Sequence, residues 1–381
     1  MIGKNLTKKK KREILTKLAK KSILYKPLVW SRLYRVSTKI RKRAVKEALI
    51  KYTDFDNLSK EEKKFLRRDL VYSKIKYNVS YMEYFLYNFK EKNHFQKKNF
   101  IPNKERSKYI KLLNTKKGYT LLTDKYSAYK LFKKYYKRDL IKIEKSKDYE
   151  KFTNFLKKHP VFVSKPYNSS FGKGIELIES TKYKNKKTLF NQLIKNGTVV
   201  LEEKIVQDET MSSLHPSSVN TFRIVTYKKP SGEIVVHLPF IKIGQKGSFV
   251  DNGGAGGILA LIDEKTGVII TDGKDELNNI YKKHPDTKIK LKGFQIPMWN
   301  EIKELAKTAS KDFDEAKYIG WDIAIDKEKG PVIVEGNGRT QFIGQQITDE
   351  KGKRKDLEKL INYKKLKRKA KAIYKQNNWE E

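Results

Sequence analysis

The sequence predicts an α+β protein, with a basic helical N-terminal region followed by short strands joined through hairpins and helices. Three observations carry this reading. Residues 318–339, YIGWDIAIDKEKGPVIVEGNGR, alternate apolar and polar positions on either side of a DKEKG break, the pattern of a two-stranded hairpin. VFVSKPYNSSFGKGIELIES sets two strand-like runs around a glycine-containing loop, and SSVNTFRIVTYKK adds another alternating strand. Residues 53–100 and 109–140, by contrast, read as helical, with Ser59 and Glu62 spaced as a capping box.

The bulk properties bound the function. A chain of 381 residues can bury a sizeable core in two or three lobes. No apolar run approaches the roughly 18 residues needed to span a bilayer, and no signal peptide with a cleavage site is visible, so a cytoplasmic location is expected. Cysteine is absent, which excludes disulfides, thiolate chemistry and Cys-ligated zinc, and the 5 histidines lack HExxH spacing. The 86 basic against 44 acidic residues give a formal charge of +42, which attracts nucleic acid, anionic membrane or acidic glycans. The basic residues are mostly lysine, whereas planar recognition of phosphates and bases favours arginine, so specific nucleic-acid binding is disfavoured.

In chain order, residues 1–52 carry 18 Lys and Arg against Glu13 and Glu47, interleaved with Leu, Ile, Tyr and Trp30. This is either a peripheral anchor on an anionic membrane, at its inner face, or a solvated helical appendage kinked at Pro27. YMEYFLYNF then offers an aromatic face of Tyr81, Tyr84, Phe85 and Phe89 for packing. A helix pair spans 109–140 with Gly118 as punctuation, and Thr123 or Asp124 as N-cap puts Lys125 in a first turn, where a lysine can complement an anion held at the positive helix end. A strand near 141–143, a helix at DYEKFTNFLKKH and the strand VFVSKP follow, with Lys165 at its end. The loop NSSFGKG could lay backbone N–H groups on phosphates. It is neither GxxxxGK[ST] nor GxGxxG, so Walker and dinucleotide-binding sites are unsupported.

TVVLEEKIVQDE is a strand ending in paired glutamates. Arg223 interrupts an apolar strand, where it faces solvent, an acid or a phosphate. EIVVHLPFIKIG places Lys242 two residues before Gly244, and Gly253–Gly257, four glycines in five residues, reads as a loop beside a ligand or a long turn. A helix over 295–315 precedes the acidic hairpin, and the tail from 353 reads as a Lys-rich helix. In the hairpin, Glu335 and Asn337 lie two apart and share a face, with Asp322 alongside. Two carboxylates and an amide oxygen are hard ligands suited to Mg²⁺ brought in with phosphates; otherwise they are solvated acids at a hairpin end.

Taken together and in order, TDK, FVSKPYNSSFGKGI, VLEEKI, NTFRIVT and GWDIAID…PVIVEGN resemble the ATP-grasp superfamily. The closer resemblance, over about residues 109–350, is to its sugar-transfer-associated branch, with the SVNTFR, DN…GG and GWD…EGN signatures. It implies two α+β lobes gripping ATP between antiparallel sheets. The implied division is a basic helical region 1–108, a pre-grasp segment and small lobe 109–200, a large lobe 201–350 with the metal site, and a Lys-rich C-terminal helix 351–381. Lys125 and Lys165 then resemble the lysines that hold ATP phosphates. Ser169, Ser170, Gly172 and Gly174 resemble the lid, and Glu202, Glu203, Lys204 and Ile205 the adenine hinge. Glu209, or equally Asp208, is the ribose-binding acid. Arg223 and Lys242 match the basic residues facing the γ-phosphate and an acyl-phosphate, and Asp322, Glu335 and Asn337 match the ligands of two Mg²⁺ ions.

The activity so implied is an ATP- and Mg²⁺-dependent carboxylate–amine ligase, acting on small-molecule amine and carboxylate substrates. The branch suggests an amino acid joined to a sugar or glycan-linked carboxylate in surface polysaccharide, capsule or cell-wall biosynthesis, and the positive charge suits an acidic glycan. The alternatives are a ligase adding amino acids to a peptide or protein tail, and a non-catalytic basic protein that binds nucleic acid or membrane.

Overall fold

The computed structural model describes residues 39–168, 174–249, 251 and 253–379. The chain divides into two compact units, residues 1–106 with 350–359, and residues 107–349 with 360–381. Residues 1–38, which hold most of the segment read as a possible anchor, lie outside the described residues.

The first unit is helical: α1 (Lys39–Tyr52), α2 (Lys60–Tyr77), α3 (Tyr81–Leu86) and α4 (His94–Asn99). Ser59 starts α2 through a reciprocal cap, accepting from Glu62 N–H at 3.1 Å while its own N–H donates to the Glu62 carboxylate at 2.9 Å. Ser80 and Glu83 repeat the device at α3. An aromatic core follows, with Tyr87 stacked on Phe100 at 4.5 Å and Tyr77 edge-on to Phe89 at 5.8 Å. Tyr81, Tyr84 and Phe89 are buried, whereas Phe85 is half-buried and stacks on Tyr52. The 350–359 segment is stitched in by Asn99 Nδ2 to the Gly352 carbonyl at 2.6 Å and by Arg354 to Glu105 at 3.0 Å. Nothing in the local sequence pattern announces that return.

The second unit begins with α5 (Arg106–Leu113), α6 (Lys116–Thr123) and α7 (Lys125–Tyr136). Gly118 does not punctuate this stretch: it sits inside α6, where a Cβ would lie 2.3 Å from the Glu315 carbonyl oxygen, so glycine permits the close approach. A four-stranded antiparallel sheet comprises β1 (Leu140–Ile143), β2 (Val161–Pro166), β3 (Glu176–Glu179) and β4 (Val199–Glu203), in the order β1-β4-β2-β3. Two helices, α8 (Tyr149–Lys158) and α9 (Lys186–Ile194), accompany it and share its core through Phe152, Phe155, Leu189 and Phe190.

After α10 (Glu209–Leu214) comes an eight-stranded sheet of β5 (Thr221–Lys228), β6 (Ile234–Val236), β7 (Phe240–Ile243), β8 (Ile258–Leu261), β9 (Gly273–Lys274), β10 (Ile280–Tyr281), β11 (Tyr318–Asp326) and β12 (Gly330–Asn337). Its order is β10-β9-β8-β7-β5-β11-β12, with β6 on β5. EIVVHLPFIKIG is two strands, broken where Leu238 takes a positive φ of 49° before Pro239. Helix α11 (Trp299–Lys311) starts four residues later than its apolar pattern suggested, because Pro297 and the left-handed Met298 precede it. It packs on the central strands, where fully buried Trp321 donates to Ser310 Oγ at 2.8 Å. The C-terminal stretch is not one helix. After α12 (Ile343–Ile347) come α13 (Arg354–Leu360), α14 (Tyr363–Arg368) and α15 (Ala370–Gln376), with a left-handed Asn362 before α14.

Candidate active site

Strand register builds the site. Asp322 on β11 lies opposite Glu335 on β12 and opposite Arg223 on β5, so the three side chains project from one face in a row. Lys242 on β7 is paired with Thr221, two residues before Arg223 on the same face. Arg223 grips Asp322 as a fork, Nε to Oδ1 at 2.5 Å and Nη2 to Oδ2 at 3.0 Å, while Lys242 Nζ donates to Oδ2 at 3.0 Å. Burial alone would push the Asp322 carboxyl up, but these two cations hold it well below the usual carboxylate range. The third Arg223 nitrogen, Nη1, donates to the buried Thr340 hydroxyl at 3.0 Å. At Gly320 a Cβ would meet Thr340 Oγ1 at 2.4 Å and Arg223 Cδ at 3.1 Å, so the glycine leaves room for the arginine to lie flat.

Glu335 is the counterpart of Asp322. Its carboxylate opens to solvent while its surroundings are protein, and Asn337 Nδ2 donates to Oε1 at 3.0 Å. Burial and the neighbouring Asp322 charge raise its proton affinity, with Lys242 opposing. Glu335 makes no ion pair among the described residues, and Lys242 and Lys125 act on it only at longer range. Two carboxylates and the Asn337 amide oxygen therefore suit a hard divalent cation such as Mg²⁺.

The four-stranded sheet contributes the facing cations. Lys165 on β2 reaches Glu202 on β4 at 2.8 Å, and Arg138 reaches the same carboxylate at 3.1 Å. Burial would raise Glu202, but the Lys165 and Arg138 charges hold it low. Asp124, rather than Thr123, is the N-cap of α7, accepting from Ser127 N–H at 2.7 Å. It sets Lys125 in the first turn, with Nζ donating to the Tyr167 carbonyl at 2.9 Å. Burial lowers the Lys125 proton affinity, and the nearby Glu335 charge opposes that fall.

Lys125, Lys165, Glu202, Lys242, Asp322 and Glu335 line one cavity of about 450 Å³, whereas Arg223 and Asn337 stand behind its lining. Val163, Ile175, Leu177 and Val334 form its apolar part, and Glu202, Glu203, Lys204 and Ile205 run along its edge. An apolar slot beside a strand end, continued by Lys125, Lys165 and Lys242, is chemically suited to a nucleobase and its polyphosphate. Ser169, Ser170 and Gly172 lie outside the described residues; Gly174, with φ of 71°, re-enters just before β3.

Two assignments change. Glu209 does not line the cavity: it is exposed in the first turn of α10 and pairs with Lys327 at 2.7 Å. Asp208, its alternative, caps α10 through Met211 N–H at 3.1 Å and does not line the cavity either. At that edge the lining residues are Gln207, Ser212 and Ser218. Glu203 also has structural ties: it accepts from the Asp139 N–H at 2.9 Å and pairs with Lys329. Sequence reasoning left out Arg138 and Asp251. Arg138 follows α7 without any motif, whereas Asp251 is the acid of the DN…GG signature and had a legible signal.

The sequence profile of the sugar-transfer associated ATP-grasp family matches residues 104–362. The chain belongs to this family. Among solved structures, this ATP-grasp protein is similar to N5-carboxyaminoimidazole synthetase from Staphylococcus aureus complexed with ADP, at 13% identity and TM-score 0.37, over 59% of this chain and 46% of that one. It is also similar to the ATP-grasp ligase PsnB complexed with minimal precursor, at 12% identity and TM-score 0.37, over 60% and 55% of the two chains. A third is D-alanyl-alanine synthetase A from Vibrio cholerae O1, at 10% identity and TM-score 0.37, over 60% and 59%. The ATP-grasp protein thus spans about half the length of the solved structures it matches. No curated protein sequence matches it.

Proposed function

We propose that this chain is an ATP-dependent carboxylate–amine ligase that forms an amide through an acyl-phosphate. The observation that carries the reading is the one cavity into which α7 and the two sheets bring Lys125, Lys165 and Lys242 together with Asp322 and Glu335, with Arg223 locked on Asp322. Lysines from both sheets can hold a polyphosphate between them, and the backbone of Lys204 and Ile205 can read the adenine edge. Mg²⁺, held by Asp322, Glu335 and Asn337, would neutralise phosphate charge.

The substrate carboxylate attacks the γ-phosphorus and ADP leaves. An amine then attacks the acyl carbon and phosphate departs. Arg223 and Lys242 act by charge where the transferring phosphoryl group develops it, which is how phosphoryl transfer is chiefly catalysed. Arg223 already has its planar fork immobilised by Asp322 and Thr340, so little reorganisation accompanies the reaction.

The family description points to sugar-linked substrates. An amino acid joined to a sugar or glycan-linked carboxylate in surface polysaccharide or cell-wall biosynthesis is the reading we favour, and the charge of +42 suits an acidic glycan partner. The test is a matrix of amino acids against uronic acids and acidic oligosaccharides, scored for ADP release and an amide product. ADP release that needs both partners supports the reading. Salt-sensitive nucleic-acid binding with no ATP turnover in any combination overturns it.

A further inference from the structure

We propose that Asp251 binds the amine co-substrate and takes one of its protons. This rests on the ligase reading above and deepens it by assigning the amine subsite.

Asp251 lines the cavity and is 9% exposed. Both of its hydrogen bonds fall on one oxygen: Oδ2 accepts from the Thr221 N–H at 2.8 Å and from the Thr221 hydroxyl at 2.5 Å. The other oxygen, Oδ1, has no donor among the described residues. The other lining acids are already committed. Glu202 holds Lys165 and Arg138, Glu203 holds Lys329, Asp322 holds Arg223 and Lys242, and Asp322 and Glu335 are the carboxylates proposed for the divalent cation. Among the described residues Asp251, like Glu335, forms no ion pair, and Lys242 acts on it at longer range.

Its position suits the second chemical step. Thr221, which carries Asp251, is the cross-strand partner of Lys242, and Lys242 is bonded to Asp322. Asp251 therefore stands beside Lys242, one of the cations assigned to the transferring phosphate. An ammonium is a cation with three donors, the complement of a buried carboxylate with an open oxygen. The charged groups facing Asp251 are Lys242, Asp322 and Arg223. Burial raises its proton affinity, Asp322 adds to that, and Lys242 and Thr221 oppose it. A carboxylate in that state is a better proton acceptor than a solvated one.

The balance is complete without another reactant. The bound R–NH₃⁺ passes one proton to Asp251 and becomes R–NH₂. Its lone pair forms the C–N bond to the acyl carbon, the C–O bond to phosphate breaks, and the departing phosphate carries the bonding pair and the second proton. The protonated Asp251 returns its proton to water when product leaves.

Hydroxylamine separates the two steps, because it is a small neutral nucleophile that intercepts an acyl-phosphate without an ammonium pocket. The full-length chain is assayed with ATP, Mg²⁺, glucuronic acid or whichever uronic acid supports ADP release, and either hydroxylamine or an amino acid. In Asp251→Asn, hydroxamate is expected at the wild-type rate, while amide formation falls at least about 100-fold and the KM for the amino acid rises. Thr221→Val removes one hydrogen bond that lowers the Asp251 proton affinity, so the acid limb of its amide-forming pH profile should move to higher pH with its hydroxamate rate unchanged. Loss of hydroxamate alongside amide in Asp251→Asn that still folds and binds MgADP would place Asp251 in the first step and overturn the assignment, as would unchanged amide formation. If Asp251→Asn does not fold, an unmoved acid limb in Thr221→Val overturns it. No ATP-dependent hydroxamate from the wild type with any acid would instead bring down the ligase reading, and this assignment with it.

Discussion

Asp322 and Glu335 are cross-strand neighbours whose environments pull in opposite directions. Asp322 is bound by two cations and kept ionised; Glu335 stands beside that charge and resists ionisation. A carboxyl whose proton affinity is raised on folding costs stability above the unfolded pKa and contributes only as pH falls. Glu335→Gln should therefore leave the Tm at neutral pH unchanged or higher, while ADP release should drop by at least about two orders of magnitude if Glu335 is a ligand of the proposed cation site. Calorimetry paired with an ADP assay reads both, and near-normal turnover in folded Glu335→Gln would remove the metal assignment. Asp322 has the opposite sign: its depressed pKa contributes stability above the ordinary aspartate range, lost as pH falls. Arg223→Ala leaves Asp322 buried with Lys242 alone and should cost about 3–5 kcal/mol as a broken buried pair. If its charge acts on the transferring phosphoryl group, as proposed, the substitution should also depress kcat more than it raises the KM for ATP. Arg223→Lys keeps the charge without the fork and should restore little. If Lys165 holds ground-state phosphate, as proposed, Lys165→Ala should do the reverse and raise the KM for ATP strongly, while Arg138 still compensates Glu202. Equal kcat in Arg223→Ala and wild type would place that side chain outside the chemistry.

At the scale of elements, what was legible in the sequence is what local physics dictates. The Ser59–Glu62 cap and the 318–339 hairpin follow from neighbouring residues, and the hairpin pairing carries Glu335 to Asp322 without further information. The errors arise where distant contacts decide. Glu209 resembled a ribose acid by spacing, yet Asp208 starts a helix there and turns Glu209 outward to Lys327. Arg138 has no motif because its partners, Glu202 and the carbonyls of Ile333 and Val334, come from strands far along the chain. Gly118 is the sharpest case, since intrinsic propensity favours Ala over Gly in a helix by about 1 kcal/mol. The close approach to the Glu315 backbone reverses that sign: Gly118→Ala should destabilise the second unit, by about 1–3 kcal/mol as for an overpacked contact. A raised midpoint in urea unfolding would mean that the helix can move aside and that the contact is not limiting.

For the whole molecule, the charge of +42 is spread unevenly, and residues 1–38 alone hold twelve Lys and Arg against Glu13. None of the helices among the described residues is long and apolar enough to cross a membrane. If the N-terminal segment contacts an anionic membrane through its charge, that contact should weaken as salt screens it. Where the chain is cut decides what such a test measures. A deletion through residue 52 removes α1, whose Val45 and Leu49 are buried, and would damage the helical unit. A deletion of residues 1–38 leaves α1 whole. That shorter deletion should preserve the Tm and ATP turnover with soluble substrates, while lowering co-sedimentation with phosphatidylserine vesicles at low salt and leaving the small binding to phosphatidylcholine unchanged. Vesicle binding equal to wild type would assign the membrane affinity to the remaining basic surface. Loss of turnover or of folding would instead make residues 1–38 part of the folded protein.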